Sequence, residues 1–175
     1  MNLSNEFHPA PKPTKQRKEK PRWKGKAKIP KKRKKKLEVY KGRTIPSAKT
    51  RGQISKREYN EALKRHGEFC YVCGTTTNLE AHHVRFRSSQ GRGVWRNIRF
   101  LCSEHHRGKY SPHQNLVLRR ELEKLHESLY GPYYYCDKYD LFKMGLIPNT
   151  TDKEYEKFMS LEEKKAREFY EQNRN

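Results

Sequence analysis

Cysteine and histidine side chains are concentrated in 37 consecutive residues, which read CYVCGTTTNLEAHHVRFRSSQGRGVWRNIRFLCSEHH from Cys70 onward. Cys70 and Cys73 are separated by two residues, and Cys102 and His105 repeat that spacing 28 residues later. Two such pairs supply four thiolate or imidazole ligands, the set that binds tetrahedral zinc with no open position. The spacing therefore predicts a structural zinc site. The alternative is that these cysteines form disulfides or are buried free thiols. Because nothing in the sequence indicates export to an oxidising compartment, the spacing favours a metal site.

The paired histidines predict a second site beside the zinc. If His105 and His106 open a helix, they project about 100° apart, so that His105 can complete the zinc tetrahedron while His106 faces elsewhere. His82 and His83 lie in LEAHHV, whose interleaved apolar residues indicate a strand. Since adjacent strand residues point to opposite faces, one of this pair can bind an ion while the other acts as a base.

This arrangement resembles the HNH endonuclease motif in its zinc-bearing version. The histidine pair, Asn97 and His106 carry the resemblance, and HHVRFRSSQGRGVWRNIRFLCSEHHRG is similar to HNH proteins common in bacteriophage and prophage genomes. The resemblance covers roughly residues 68–115. It implies an α+β fold with a small ββα-metal core, in which two strands and a helix hold a catalytic divalent cation, and products with 5′ phosphate and 3′ hydroxyl ends.

Residue roles follow from the same resemblance. It implies His83 as the general base, His82 and His106 as ligands of the catalytic cation, and Asn97 as the residue that orients the His83 ring or its loop. Independently, a neutral imidazole with a pKa near 6.5 is a competent base at cellular pH. A bound Mg²⁺, Mn²⁺, Ni²⁺ or Zn²⁺ would neutralise charge that develops on a scissile phosphate.

One position departs from the family pattern. Many relatives carry another histidine four residues beyond the last motif histidine, where this chain has Tyr110. His113 lies three residues further on and is the candidate third metal ligand. A surface histidine near a helix start is the equally open alternative for this residue.

Arginines surround the motif. Guanidinium groups beside a hydrolytic ion suit the phosphate oxygens that flank a scissile bond, and glycines in the intervening loop allow close backbone approach. The predicted nucleic-acid-binding residues are Arg85, Arg87, Arg92, Arg96, Arg99 and Arg107.

Positive charge is concentrated at the N-terminus. Of the net charge of +21, residues 1–52 carry +16, from 19 Lys and Arg and three acids. Because this region has few apolar residues, we expect a disordered basic arm that binds nucleic acid in a salt-dependent way. Its run PKKRKKK is also typical of nuclear localisation signals, so that two locations stay open: the cytoplasm of a bacterial or phage-infected cell, and a nucleus.

Two further regions follow the arm, a nuclease core at 53–115 and a helical extension at 116–175. Ser55 and Glu58 form a capping box, and Gly67 ends the helix that they begin. Leucines at helical spacing predict a helix from Asn115 to Tyr130, which Gly131 ends. Two more capping boxes, Thr151 with Glu154 and Ser160 with Glu163, predict helix starts in the tail. No apolar run is long enough to cross a membrane.

The sequence thus predicts a metal-dependent DNA endonuclease with one structural zinc ion and one catalytic divalent cation. Only 32% of its residues are hydrophobic, so zinc would supply stability that burial cannot. DNA is the expected partner, and the viral resemblance implies DNA-processing or packaging proteins as further ones. The alternative is a non-catalytic, zinc-stabilised DNA- or RNA-binding protein.

Overall fold

Two small antiparallel sheets and six helices make up residues 38–173, the part of the chain that the computed structural model describes. The strands are β1 (Glu38–Tyr40), β2 (Arg43–Ile45), β3 (Leu79–His83) and β4 (Ile98–Cys102). The helices are α1 (Ala48–Arg51), α2 (Lys56–His66), α3 (Ser103–Arg107), α4 (Leu116–Tyr130), α5 (Lys138–Lys143) and α6 (Asp152–Gln172). The fold is therefore mixed α and β.

The prediction of a disordered arm over residues 1–52 is wrong from residue 38 onward, where the chain forms two strands and a short helix. Strands β1 and β2 pair as a hairpin, and Lys41 and Gly42 turn the chain with φ angles of 46° and 72°. Ile45 at the end of β2 is buried, which anchors the hairpin in the fold. The prediction for residues 1–37 lies outside the described residues.

The second sheet and the helix after it contain the histidine-rich motif. As predicted, LEAHH is a strand, and β3 pairs with β4 so that Leu79 lies opposite Cys102 and His83 opposite Ile98. Helix α3 follows β4 without a loop. All five residues of β4 are buried, and Phe100 packs with Trp95 and with helix α2.

Helix α2 begins and ends where its capping signals predict. The Ser55 hydroxyl accepts a hydrogen bond from the Glu58 backbone N–H, and Gly67 caps the C-terminus with a φ of 81°. The Glu58 carboxylate bonds to the Trp95 backbone N–H at 2.8 Å, which connects α2 to the turn before β4.

The C-terminal extension is helical, and it packs on the core. Helix α4 begins at its Asn115 cap and ends at Gly131, as predicted, and Thr151 caps the start of α6. The predicted helix start at Ser160 is wrong, because this residue lies inside the continuous 21-residue helix α6. Glu163 instead pairs with Arg96 of the core.

Within residues 38–173, the helices are all too short or too polar to cross a membrane.

Candidate metal centre and catalytic site

The predicted zinc ligands lie together. Ligand atoms of Cys70, Cys73, Cys102 and His105 are all within 4.8 Å of one another. The Cys73 and Cys102 sulfurs are 3.9 Å apart, too far for a disulfide, and the His105 Nδ1 atom lies 3.2 Å from the Cys102 sulfur. Two sulfurs bound to one tetrahedral zinc ion at about 2.3 Å are about 3.8 Å apart. This group can therefore hold a metal ion such as zinc.

Local backbone geometry favours the thiolate form of Cys70. Burial raises the pKa of this thiol, but hydrogen bonds from the backbone N–H groups of Cys102, Cys73 and Val72 lower it. The lowering outweighs the effect of burial, and the resulting pKa is about 6. Because metal ligation requires a deprotonated sulfur, these N–H groups prepare the site for a cation.

A second group of possible metal ligands consists of His82, His106 and His113, with nitrogen atoms within 4.8 Å of one another. The centre of the His82 ring is 5.1 Å from the centres of both other rings. Strand β3, helix α3 and the loop before α4 contribute one histidine each. The structure thus brings together the three histidines predicted as ligands of the second cation, and they form a group separate from the cysteine group.

His82 carries the clearest chemical signal in this group. Its side chain is buried, and neither ring nitrogen has a hydrogen-bond partner among residues 38–173. Burial lowers the pKa of His82 to about 3, helped by the nearby His106 and His113. A buried neutral imidazole with a free lone pair, facing two other imidazoles, fits a ligand of a divalent cation.

A carboxylate orients the second ligand. The Nδ1 atom of His106 lies 2.5 Å from Oε2 of Glu80, which also accepts a hydrogen bond from Arg107. These two bonds lower the pKa of Glu80. Because Nδ1 donates to the carboxylate, the Nε2 lone pair of His106 remains for an ion, an arrangement common for metal-binding histidines.

His83 has one ring nitrogen occupied and one available. Its Nε2 lies 3.0 Å from the backbone oxygen of Gly52. A carbonyl oxygen only accepts hydrogen bonds, so Nε2 carries the proton and Nδ1 holds the basic lone pair. Burial lowers the pKa of His83, and the charge of Arg87 adds to this. The ring is therefore neutral at pH 7 and can accept a proton at Nδ1.

Both histidines of the pair line one cleft of about 310 Å³, together with His106, His113, Phe86 and Arg87. Phe86 stacks on the His113 ring with centroids 4.8 Å apart, and its edge contacts His82. Phe86 thus forms a wall of the cleft. The cleft is large enough for a small polar group next to His83.

Asn97 closes the loop between the two strands. Its side-chain oxygen accepts a hydrogen bond from the Arg85 N–H at 2.7 Å, and its amide donates to the Arg85 and Arg92 carbonyls at 3.1 and 2.9 Å. This amide is fully buried. Asn97 thus holds the loop that follows His83 and makes no hydrogen bond to the His83 ring.

Three of the six predicted nucleic-acid-binding arginines are buried with partners inside the protein. Arg92 bonds Asp140, Arg96 bonds Glu156 and Glu163, and Arg99 bonds His126. A guanidinium that is already paired and buried cannot contact a phosphate without breaking those bonds. We therefore do not retain Arg92, Arg96 and Arg99 as DNA-contacting residues.

The other three arginines lie nearer to solvent. Arg87 is exposed at the cleft, and the Arg107 side chain is 75% exposed despite its bond to Glu80. Arg85 is partly exposed and lies over the Tyr135 ring. Of the predicted set, Arg87 is best placed to contact an anion next to His83.

Two contributors to the site were missed in the sequence. Glu80 lies two residues before His82 in β3, and strand alternation alone would have placed both on one face. Gly52 acts through its backbone oxygen, a group present at every position, so no sequence signal distinguishes it.

Comparisons of the chain with protein-family models, with curated proteins and with solved structures find no match.

Proposed function

We propose that this chain is a metal-dependent endonuclease of HNH type that hydrolyses phosphodiester bonds in DNA. The observation that carries the proposal is the buried His82. Its two ring nitrogens have no partner in the part of the chain that the structure describes, it lies beside His106 and His113, and it shares their cleft with His83. In this proposal β3, β4 and α3 form the ββα-metal core. The cysteine group would hold a separate, structural zinc ion.

The residues divide the chemistry between them. His82, His106 and His113 would hold a divalent cation, which when bound neutralises charge on the scissile phosphate and the leaving oxygen. His83 accepts a proton at Nδ1 from the attacking water, while the Gly52 oxygen keeps the opposite nitrogen protonated. Glu80 fixes the orientation of the His106 ring. Arg87 provides positive charge at the mouth of the cleft.

A non-catalytic nucleic-acid-binding protein is the second candidate, favoured by the charge of residues 1–52. Such a protein would use the cysteine group for stability and the basic residues for phosphate contacts. It would give no role to an unpartnered, buried His82 next to two other histidines. The endonuclease proposal accounts for both features.

Plasmid cleavage tests the proposal. Supercoiled DNA is incubated with wild type, His83→Ala and His83→Gln in Mg²⁺, Mn²⁺, Ni²⁺ or Zn²⁺ at two salt concentrations. Glutamine can still donate to the Gly52 oxygen, but it has no basic nitrogen. We expect cleavage by wild type and a loss of about 100-fold or more in both variants, since general-base catalysis contributes about that much.

DNA retention by both variants, measured on the same samples, separates chemistry from binding. Equal cleavage by wild type and the variants would contradict His83 as the base and point to a contaminating nuclease. Retention without cleavage by wild type in every metal would favour the non-catalytic candidate, and stronger competition by RNA than by duplex DNA would identify an RNA-binding protein.

A further inference from the structure

The orientation of His83 depends on a carbonyl group outside the histidine-rich motif. Gly52 accepts the Nε2–H of His83 at 3.0 Å, and it is buried immediately after helix α1. Whatever fixes the position of this carbonyl also fixes the ring, and with it the direction of the Nδ1 lone pair. The following inference rests on the proposed function of His83.

The residue before Gly52 is held by two carboxylates of the C-terminal extension. Nη1 of Arg51 bonds to Oδ1 of Asp137 at 2.7 Å and to Oδ1 of Asp140 at 2.8 Å. The Arg51 side chain is only 7% exposed. Because both acids lie at the start of helix α5, this helix anchors the segment that presents the carbonyl.

The same Asp140 also holds the loop that contains Arg92. Arg92 forms a bidentate pair with it, through Nε at 2.6 Å and Nη2 at 2.9 Å. The Arg92 backbone oxygen in turn accepts a hydrogen bond from Asn97. One carboxylate therefore links the Gly52 segment to the loop closed by Asn97.

The backbones of these two segments are in direct contact at Gly93. The Gly93 N–H donates to the Arg51 oxygen at 2.9 Å, and a Cβ atom on Gly93 would lie 2.1 Å from the Gln53 oxygen. A Cβ atom on Gly91 would lie 1.8 Å from the Arg85 oxygen. In such tight backbone packing, a shift of the Arg51 or Arg92 anchor moves neighbouring atoms with it.

We propose that Asp140, on helix α5 and outside the motif, is a positioning residue that holds the Gly52 carbonyl and the Asn97 loop in the arrangement that directs His83 toward substrate. Asp140 does not touch the cleft histidines and acts through Arg51 and Arg92. The C-terminal extension is thus a working part of the catalytic site.

The test compares Asp140→Asn and Arg51→Lys with wild type and with Asp152→Asn as a matched control. Asp152 lies in the same extension and pairs with Lys138 and Arg57, but its side chain is 58% exposed. Two properties are measured: kcat and KM on a short DNA duplex at saturating cation, and the His83 Nε2–H resonance in protein with ¹⁵N-labelled imidazole rings. The resonance reports the hydrogen bond to Gly52 and requires no cleavage.

We expect both test variants to lower kcat by up to about 100-fold, the effect of misplacing a catalytic group by about 1 Å. KM should stay within about twofold of wild type, because the DNA-contacting surface is unchanged. The protected His83 Nε2–H signal should weaken or exchange rapidly in both. Asp152→Asn should match wild type in kcat and in the resonance.

Folded variants that keep the wild-type resonance and the wild-type kcat would overturn the inference. If Asp140→Asn does not fold, as near-ultraviolet circular dichroism would report, Arg51→Lys decides, because it keeps a positive charge between the two acids. If the wild-type protein does not cleave DNA but its His83 resonance is lost in Asp140→Asn, the endonuclease proposal is overturned and the positioning of His83 by Asp140 is supported. Cleavage that is insensitive to Asp140 would overturn the positioning alone.

Discussion

At the scale of single residues, His82 is buried but makes no hydrogen bond to any residue in the described part of the chain. A buried polar group without a hydrogen bond costs about 1–3 kcal/mol, so native structures rarely keep one without a reason. His82 has two such nitrogens, whereas the equally buried His126 bonds to the Arg96 oxygen and to Arg99. An ion held with His106 and His113 would supply the missing partner of His82.

We therefore expect two different cation sites, which cobalt can distinguish. Zinc-depleted wild type should bind two Co²⁺ ions, and the cysteine site should give a thiolate-to-cobalt charge-transfer band. His82→Ala should bind one Co²⁺ with that band unchanged, as measured by titration calorimetry and absorption. His66→Gln, a change at a buried histidine outside both groups, is the control and should still bind two. Two ions in His82→Ala would exclude His82 as a ligand.

How far the sequence predicts a site residue depends on how local its partners are. The spacings of Cys70 with Cys73 and of Cys102 with His105 are local patterns, and they predicted the cysteine group. Strand alternation indicated that one histidine of the 82–83 pair could bind an ion, and the resemblance to the HNH motif implied that it is His82, together with His106. The roles of the arginines depend on acids far along the chain. Arg92 pairs with a residue 48 positions away and Arg96 with one 67 positions away, so sequence alone could not distinguish a buried pair from a phosphate contact.

At the scale of helices and strands, Arg96 connects helix α6 to the turn that carries Asn97. Its guanidinium is 3% exposed, bonds to Glu156 and Glu163, and lies 4.2 Å from the centre of the Trp95 ring. The pair with Glu163 is largely shielded from solvent, since that side chain is 13% exposed. Removal of one member leaves the other buried and unpaired.

Arg96→Gln should lower the free energy of unfolding by about 3–5 kcal/mol, the typical effect of breaking a buried ion pair from one side. The matched control is Lys164→Gln, which removes an exposed pair with Glu168 on the same helix and should change stability by less than about 0.5 kcal/mol. Urea unfolding followed by circular dichroism measures both. Equal stability of the two variants would mean that α6 is held by apolar packing alone.

The elements that the sequence predicted best have caps and apolar periodicity of their own. Helix α4 has both, from Asn115 to Gly131, and its predicted bounds are confirmed. The β1–β2 hairpin was missed because the lysine-rich composition before it indicated disorder. The dipeptide Lys41–Gly42, flanked by short alternating segments, was the available hairpin signal, since glycine favours the positive φ of such a turn.

At the scale of the whole molecule, neutral buried histidines make stability depend on pH. Burial, with help from the charge of Arg99, lowers the pKa of His66 to about 4 in the folded chain. The unfolded chain takes up this proton near pH 6.5, before the folded chain does. The stabilising contribution is thus complete above pH 6.5 and is lost as the pH falls from there to about 4.

Unfolding should therefore require less urea at pH 5 than at pH 7, and His66→Gln should reduce that difference. The histidine accounts for on the order of 3 kcal/mol between pH 6.5 and 4, since one pKa unit corresponds to about 1.4 kcal/mol. Excess zinc in all samples keeps the cysteine site saturated. A variant with the same pH dependence as wild type would assign the acid sensitivity to other groups.

Helix α3 presents His105 to the cysteine group and His106 to the histidine group from adjacent positions. Five residues of helix have little stability in isolation, so a disturbance of the cysteine group would also displace His106. A chelator that removes an ion from the cysteine group should therefore also weaken cation binding at the histidine group.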